Sequence, residues 1–350
     1  MNAARHGRRP AHELRHLWVR APNWVGDLVM ATPVLEALVG SSRFERVSIG
    51  LRSHLAGVVE GLPWADRVVT FKGARDEMAA LARAAPDGAL LLTNSFSAAL
   101  RVWRAGVPLR AGTALGGRGM LLTHRLVPPS REGRRVPIPT AHLLADLAGL
   151  VGVTVPDLAP RLAADAGVRA RARAVLVEHG AAADARFVLC APGAAFGAAK
   201  LWPPERFAAV LDRLFDEQGW IGVVTGAPSE GPQIAAVVDA CRHPVVSLAK
   251  AERDLALLRG LVSECELLVV GDSGPRWFAA AFDVPCVSIM GPNFPELTAT
   301  SLERARIVRR DDLECSPCLR RVCPLEHHAC MREIGVDEVV AAALDVVGTR

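Results

Sequence analysis

The strongest constraint on the fold is a repeated alternation of short aliphatic runs with longer amphipathic stretches. Runs of four or five residues are predicted strands at 17–20, 47–51, 67–70, 89–93, 187–191, 221–225, 245–248, 267–270 and 286–290. The stretches between them have helical spacing, as at 28–39, 204–218, 231–241, 254–264 and 275–282. Strands that alternate with helices in this way form parallel sheets covered by helices. We therefore predict an α/β chain with two doubly wound parallel sheets.

The domain limits follow from length and from proline positions. At roughly 100–200 residues per domain, 350 residues predict two domains. Pro156 and Pro160 interrupt the helical pattern at the point where the charge balance changes. We predict a basic N-terminal arm (1–16), a first domain (17–160), a second domain (161–335) and a C-terminal helix (336–350). Residues 127–139 and the glycine cluster at 112–119 are predicted loops.

Basic charge is concentrated in the first domain. The first 160 residues carry 20 basic and 12 acidic side chains, whereas the remainder carries 21 and 25. Between Arg101 and Arg135 eight arginines accompany one acid, Glu132. Such a field favours an anionic partner, either a phosphorylated sugar, an acidic lipid headgroup or a nucleic acid. A solvated arginine-rich face is the alternative. The chain lacks a recognition-helix or stacking-aromatic pattern, so we expect no nucleic acid.

Several classes of protein are excluded or disfavoured by missing patterns. No apolar run approaches the ~18–20 residues that span a bilayer, and the arginine-rich N-terminus resembles no secretory signal, so we expect a cytoplasmic protein. The three lysines follow Phe71, Ala199 and Ala249 rather than the glycine of a P-loop. The turn after the first strand lacks the G-x-G-x-x-G of dinucleotide-binding enzymes, which disfavours a dehydrogenase.

Three segments place polar residues after strands of the second sheet. In 269–282 a buried strand leads through Asp272, Ser273 and Gly274 into a helix that begins at Pro275. This turn is either a diphosphate site at a helix N-terminus or an ordinary capped helix. In 191–207, Gly193 opens the backbone, and Lys200 is either a cation for a diphosphate leaving group or a surface lysine.

A third strand end runs from Thr225 to Glu230 and is a candidate to bind ribose or sugar hydroxyls. In the first domain Asp27 follows the first strand at the start of a helix. A carboxylate at that place is either the helix N-cap or a general base. A base in a basic domain complements a diphosphate site in the other domain, as a displacement reaction requires.

These segments together resemble glycosyltransferase family 9, the ADP-heptose:lipopolysaccharide heptosyltransferases. The motifs are PNWVGDLVMATP (22–33), PGAAFGAAKLWP (192–203) and GDSGPRWFAAAFDVPCVSIMGP (271–292). The resemblance implies a GT-B fold, in which two Rossmann-like domains face each other across a cleft, and an inverting transfer that uses no metal or other cofactor. It assigns Asp27 as catalytic base.

The resemblance also implies that Lys200, Asp272, Ser273 and Gly274 bind the donor ADP-heptose. From the strand ends we add Gly193, Thr225 and Glu230 to the donor site, and from its ring Trp277. The resemblance implies a lipid-linked lipopolysaccharide core as acceptor and a peripheral place at the inner face of the inner membrane, and the charge distribution assigns that acceptor to Arg101, Arg118 and Arg125. The family usually has histidine at the position of Trp277, whose ring offers a stacking face instead of imidazole hydrogen bonds.

The segment 315–330 contains Cys315, Cys318, Cys323 and Cys330 with two histidines. These residues are compatible with a structural metal site or with reduced thiols, and we assign no metal to the active site.

The predicted activity is transfer of L-glycero-D-manno-heptose from ADP-heptose to heptosyl-Kdo2-lipid A. The alternatives are a GT-B transferase with another donor, a nucleotide-sugar epimerase, and a non-catalytic nucleotide-sugar-binding paralogue.

Overall fold

The computed structural model describes residues 14–348, so most of the predicted basic arm lies outside the described residues. The chain divides into two compact units, the first up to Arg161 and the second from Leu162, except that Glu296–Thr298 group with the first. Each unit contains one six-stranded sheet in which all neighbouring strands are parallel. The predicted α/β architecture with two parallel sheets is therefore confirmed.

The first unit alternates strands with helices, and its elements in chain order are β1 (His16–Arg20), α1 (Val25–Val39), β2 (Arg46–Arg52), α2 (Ala56–Val59), β3 (Val68–Phe71), α3 (Ala74–Ala84), β4 (Gly88–Leu91), α4 (Phe96–Arg104), β5 (Leu109–Thr113), β6 (His124–Leu126), β7 (Ser130–Arg131), β8 (Arg134–Arg135) and α5 (Thr140–Gly149). Its sheet has the order β3-β2-β1-β4-β5-β6. The short strands β7 and β8 form a separate antiparallel pair. Helix α5 packs against α1.

The second unit repeats this plan with the elements α6 (Ala166–Glu178), β9 (Phe187–Ala191), α7 (Pro204–Gln218), β10 (Ile221–Val224), α8 (Gly231–Ala240), β11 (Val245–Ser247), α9 (Leu255–Glu264), β12 (Leu267–Gly271), α10 (Pro275–Ala281), β13 (Cys286–Ile289), β14 (Ala305–Val308), α11 (Ala329–Arg332) and α12 (Val336–Gly348). Its sheet has the order β11-β10-β9-β12-β13-β14. The C-terminal helix α12 packs against α7 and β13.

The central strands owe their position to continuous apolar sequence. Every residue of β4, β9, β12 and β13 is buried. Strands covered on both faces cannot alternate polar with apolar residues, so aliphatic runs mark the centre of a parallel sheet. Side-chain caps then define helix starts: Ser95 caps α4, Asp165 caps α6 and Asp254 caps α9.

Each sheet contains one point at which the strand order reverses. In the first sheet β1 lies between β2 and β4, and in the second β9 lies between β10 and β12. Loops that leave neighbouring strands on opposite faces diverge there and open a crevice at the carboxyl ends of the strands, where ligands bind in open α/β sheets. The fold therefore predicts one ligand-binding position in each unit, after β1 and β4 and after β9 and β12.

The edges of the sheets differ from the prediction. Strands β5, β6 and β14 were not predicted, and Gly112, assigned to a loop, lies in β5. Their sequences contain arginine, histidine or glycine, so the local pattern is weak, and pairing with β4 or β13 holds them in place. A Cβ at position 112 would meet Leu91 Cβ at 3.4 Å, which shows how closely these strands approach.

No helix within residues 14–348 is long and apolar enough to cross a bilayer.

Candidate functional site

A pocket of about 310 Å³ lies at the reversal point of the first sheet. The loops that follow β1 and β4 form its polar wall, and helix α5 contributes aliphatic side chains. The lining residues are Pro22, Asn23, Trp24, Asp27, Leu92, Thr93, Asn94, Ser95, Thr140, Leu143, Leu144 and Leu147. A pocket with one apolar and one hydroxyl- and amide-bearing wall suits a sugar, whose ring has apolar faces and polar edges.

Asp27 is the carboxylate of this pocket. It lies in the first turn of α1, whose N-cap is Trp24, a residue that makes no side-chain capping bond. The N-cap interpretation of Asp27 is therefore wrong, because the cap lies three residues earlier. The partial positive charge at the start of a helix favours a carboxylate in its first turn. Asp27 thus lines the pocket at a position where the start of the helix stabilises its negative charge.

A buried ion-pair network supports the loop after β1. Glu77, from α3, is 1% exposed and accepts from Arg20 Nε at 2.9 Å. Its second oxygen lies 2.7 Å from Arg101 Nε. Burial lowers the pKa of the Arg20 guanidinium, and the charge of Glu77 partly offsets that effect. Arg20 Nη2 in turn donates to Asn23 Oδ1 at 2.6 Å, which connects the network to the pocket wall.

A second buried guanidinium supports the loop after β4. Arg118 is 0% exposed and donates to the carbonyl oxygens of Thr93 and Thr113 and to Asn94 Oδ1. Burial lowers the pKa of Arg118 to about 10. No carboxylate of the described chain forms an ion pair with Arg118 in this setting, where carbonyl and hydroxyl oxygens surround it.

The structure places the three arginines assigned to the acceptor in different environments. Arg118 has no exposed surface, and Arg101 is mostly buried against Glu77. Both guanidinium groups are therefore occupied by the protein itself. Arg125, in β6, is exposed. Of the three, Arg125 has the accessibility that direct contact with an anionic acceptor requires.

In the second unit Lys200 and Asp272 meet at the reversal point of the sheet. Lys200 follows β9 in the chain and Asp272 follows β12, and Lys200 Nζ lies 2.6 Å from Asp272 Oδ2. The two side chains are 11% and 9% exposed. The Lys200 ammonium also lies 4.7 Å from the centre of the Phe196 ring. This arrangement holds one cation at the carboxyl end of the strands, where it can meet an anionic group.

Glu230 joins the ends of β9 and β10. Its carboxylate accepts from the backbone of Ala227 at 2.7 Å. A Cβ at Gly193 would lie 2.0 Å from Glu230 Cδ, so only glycine leaves room for this carboxylate. Thr225 is buried directly after β10, and its backbone amide bonds to the Cys190 carbonyl. Gly193, Thr225 and Glu230 therefore lie together at the start of residues 192–203, the segment between β9 and α7 that we call the Lys200 loop.

The turn after β12 does not form the capped helix that was one of its two interpretations. Gly274 is the N-cap of α10, and this helix start has no side-chain cap. Trp277 is 4% exposed, and the Arg276 guanidinium lies 4.3 Å from the centre of its ring. One face of the indole is thus covered by an arginine of the same helix.

The cysteine-rich segment packs on the Lys200 loop. Arg321 Nη1 donates to the Phe196 carbonyl at 2.9 Å, and His328 Nε2 donates to the Ala199 carbonyl at 2.8 Å. Burial raises the pKa of the Cys330 thiol to about 11, with smaller contributions from Cys318, Cys315 and Cys323. Within residues 14–348 no three histidine, cysteine or acidic side chains are placed to hold a metal ion. In this structure the segment supports the loop.

Sequence reasoning missed the amides and hydroxyls that line the first pocket. The sequence analysis assigned no functional role to Thr93, Asn94 and Ser95. Three polar residues directly after a buried strand were the available signal, because that position is the carboxyl edge of a parallel sheet. Arg20 and Glu77 carry no such signal, since their burial depends on α3 folding over β1.

Two doubly wound domains in one chain, with polar residues at each reversal point, form a two-domain α/β fold of the GT-B type. The same fold is found in ADP-heptose lipopolysaccharide heptosyltransferase II of Escherichia coli. The two structures superpose with a TM-score of 0.75 and 23% identity, covering 95% of this chain and 98% of that one.

The model of glycosyltransferase family 9 (heptosyltransferase) matches residues 78–329, and the chain belongs to this family. Lipopolysaccharide heptosyltransferase 2 of E. coli K12 is 27% identical over 310 residues, covering 83% of this chain and 87% of that protein. Lipooligosaccharide heptosyltransferase 2 of Campylobacter jejuni serotype O:2 is 28% identical over 159 residues. The chain spans about half the length of that relative, 49%.

Proposed function

We propose that the protein transfers L-glycero-D-manno-heptose from ADP-heptose to the lipopolysaccharide inner core, adding the second heptose to heptosyl-Kdo2-lipid A. Membership of the heptosyltransferase family and relatives named lipopolysaccharide heptosyltransferase 2 support the reaction. The observation that carries it at the level of residues is the pair of strand-end sites, a carboxylate in one unit and a lysine in the other.

The chemistry is a single displacement with inversion. The acceptor hydroxyl oxygen attacks C1 of the heptose while its proton passes to the Asp27 carboxylate. The bond from C1 to the diphosphate oxygen breaks, and ADP leaves with the electron pair. Lys200 neutralises charge that develops on the diphosphate, and Asp272 holds the Lys200 ammonium in place. Gly193, Thr225, Glu230, Ser273 and Gly274 complete the proposed donor site.

The reaction is tested with Asp27→Asn and Lys200→Ala. Loss of a general base lowers rates about 10²- to 10⁴-fold. Asp27→Asn should therefore lower kcat by about 10²-fold or more and leave the KM for ADP-heptose nearly unchanged. Lys200→Ala should raise the KM for ADP-heptose. Asp146→Asn, on the exposed side of α5, is the matched control. Normal turnover by Asp27→Asn would refute the assignment of the base.

The same assay separates the alternatives. Conversion of a nucleotide sugar without any acceptor would identify an epimerase. Turnover with a different nucleotide sugar would identify another donor. Binding of ADP-heptose without turnover would identify a non-catalytic paralogue, and gain of activity in Trp277→His would then locate the cause at that position.

We also propose that the enzyme contacts the anionic inner face of the inner membrane through helix α4. Phe96 and Trp103 are about half exposed at 46% and 50%, and with Leu100 they recur at intervals of four and three residues, which places them on one side of the helix. Arg104 lies beside them and is exposed. Aromatic side chains next to arginines suit the boundary between lipid headgroups and acyl chains.

Vesicle flotation tests this contact. The wild-type protein should bind vesicles of phosphatidylethanolamine and phosphatidylglycerol more tightly than vesicles of phosphatidylcholine. The double variant Phe96→Ser, Trp103→Ser should lose about tenfold or more in affinity, because each aromatic side chain contributes roughly 1.5–3 kcal/mol when buried. Val177→Ser, an equally exposed apolar position in the second unit, is the control. A dimer that the double variant abolishes, without vesicle binding, would assign this helix face to self-association.

A further inference from the structure

The two amide side chains of the Asp27 pocket differ in what they have left to offer a ligand. Asn23 is used at both ends: Oδ1 accepts from Arg20 Nη2 at 2.6 Å, and Nδ2 donates to Thr93 Oγ1 at 3.2 Å. Asn23 therefore connects the loops after β1 and β4, and both ends of its amide already bind groups of the protein. Its place in the pocket wall is structural.

Asn94 is used at one end only. Its Oδ1 accepts from Arg118 Nη2 at 2.9 Å and from Thr113 Oγ1 at 2.5 Å. A guanidinium group has donors and no acceptor, so the amide atom that faces Arg118 must be the oxygen. Nδ2 is then on the opposite branch of the amide, and no residue within the described 14–348 accepts a hydrogen bond from it. Asn94 is exposed and lines the pocket.

Arg118 keeps the Asn94 amide in this orientation because its own guanidinium group is fixed by other hydrogen bonds. Its guanidinium donates through Nε to the Thr113 carbonyl at 2.7 Å and through Nη1 to the Thr93 carbonyl. The side chain is fully buried and spans from the end of β4 to the end of β5. Rotation of the Asn94 amide would place an NH₂ group against a guanidinium and a threonine hydroxyl, at the cost of the contacts to both.

We propose that Asn94 binds the acceptor sugar in the Asp27 pocket through Nδ2 and that Arg118 is the positioning residue that orients its amide. The inference rests on the proposed function. A carboxylate acceptor and an amide donor in one pocket match two neighbouring sugar oxygens, since one hydroxyl donates to Asp27 while the other oxygen accepts from Asn94. The pocket assigns the contact to the acceptor because Asp27 must reach the hydroxyl that reacts.

Asn94→Asp isolates the ligand contact from the fold. Aspartate keeps an oxygen for Arg118 and Thr113 and places a second oxygen where Nδ2 was. The variant should retain full resistance to unfolding and unchanged KM for ADP-heptose, while its KM for the acceptor rises about tenfold, the loss expected for one hydrogen bond and a mispaired oxygen. Gln218→Glu, the same amide-to-carboxylate change on the exposed end of α7, should change neither KM.

Arg118→Lys tests the positioning role. A lysine ammonium cannot reproduce the planar fork that reaches Asn94 and two carbonyls together. The acceptor KM should rise, and adding Asn94→Asp to this variant should cost less than it does in the wild type, because the amide is already released. Additive effects of the two changes, or an unchanged acceptor KM in Asn94→Asp, would overturn the proposal.

A direct readout separates this inference from the reaction itself. The side-chain amide NMR signal of Asn94 should shift when deacylated heptosyl-Kdo2-lipid A is titrated into wild-type protein, with Asn94→Asp used to assign the signal. A shift without transfer would refute the proposed reaction and keep the contact. Transfer without a shift would refute the contact. Absence of both would refute both.

Discussion

At the scale of single residues, Glu77 is the buried anion on which the first pocket depends. Its carboxylate lies between Arg20 and Arg101, and Arg20 also donates a hydrogen bond to the pocket residue Asn23. A buried ion pair adds little net stability compared with apolar residues, but removing one partner leaves a charge unpaired in a poorly solvated place. The network therefore specifies the shape of the loop after β1 rather than adding a large share of the stability.

Glu77→Gln should accordingly lower the free energy of unfolding by about 3 kcal/mol, because two guanidinium groups lose their counter-charge while the volume stays the same. Urea unfolding followed by circular dichroism measures the change. Glu178→Gln removes a carboxylate from the exposed end of α6 and should stay within about 0.5 kcal/mol of wild type. A loss in Glu77→Gln no larger than in this control would show that Arg20 and Arg101 find other partners.

At the scale of elements, the Lys200 loop is held by the cysteine-rich segment. Gly197 has φ 153° and ψ 169°, a backbone conformation that is essentially restricted to glycine. A Cβ there would lie 2.5 Å from the Arg321 carbonyl oxygen, which accepts from Ala199 N at 3.0 Å. The two segments can approach this closely only because residue 197 has no side chain.

Gly197→Ala should push Arg321 away, break the bond to Ala199 and loosen the loop that carries Lys200. We expect the dissociation constant for ADP to rise about tenfold, the loss of roughly 1.4 kcal/mol. Calorimetric titration with ADP measures it. Gly73→Ala, at the N-cap of α3 with open space around the added methyl group, should bind ADP like the wild type. Equal affinity of Gly197→Ala and Gly73→Ala would contradict the supporting role of the segment.

At the scale of the whole molecule, the charge of the chain is unevenly distributed. The excess of basic side chains lies within the first 160 residues. Arg125 and Arg131 remain exposed after folding, whereas Arg20 and Arg118 do not. Exposed charges attract an anionic substrate from a distance, and added salt weakens this attraction. Salt has much less effect on the interactions of buried charges.

For a phosphorylated lipid acceptor, kcat/KM should therefore fall about tenfold between low and high salt, in the range typical of electrostatic steering. The double variant Arg125→Gln, Arg131→Gln should have a lower kcat/KM at low salt and a shallower salt dependence. Lys250→Gln, an exposed cation of the second unit, should reproduce the wild-type dependence. If the double variant kept the wild-type slope, steering would have to come from other parts of the surface.

The sequence alone was sufficient for the α/β class, the central strands of both sheets and the polar strand ends at Asp27, Lys200 and Asp272. These features are local. A central strand is marked by a continuous aliphatic run, and the strand-end residues follow directly after it in the sequence. The family resemblance came from the same segments and agrees with the match at residues 78–329. The roles assigned to individual donor and acceptor residues remain predictions.

Only the tertiary structure decided which arginines are buried, which edge strands form and which amide nitrogen makes no hydrogen bond to the described protein. Arg118 and Arg125 look alike in the sequence, yet one is enclosed by Thr93, Thr113 and Asn94 and the other is exposed. Burial of a polar side chain depends on partners far away in the chain, and those partners are supplied by packing rather than by neighbouring residues. Strand β14 likewise exists through its pairing with β13. Local pattern thus determined the framework, and long-range contact determined the chemistry of the pocket walls.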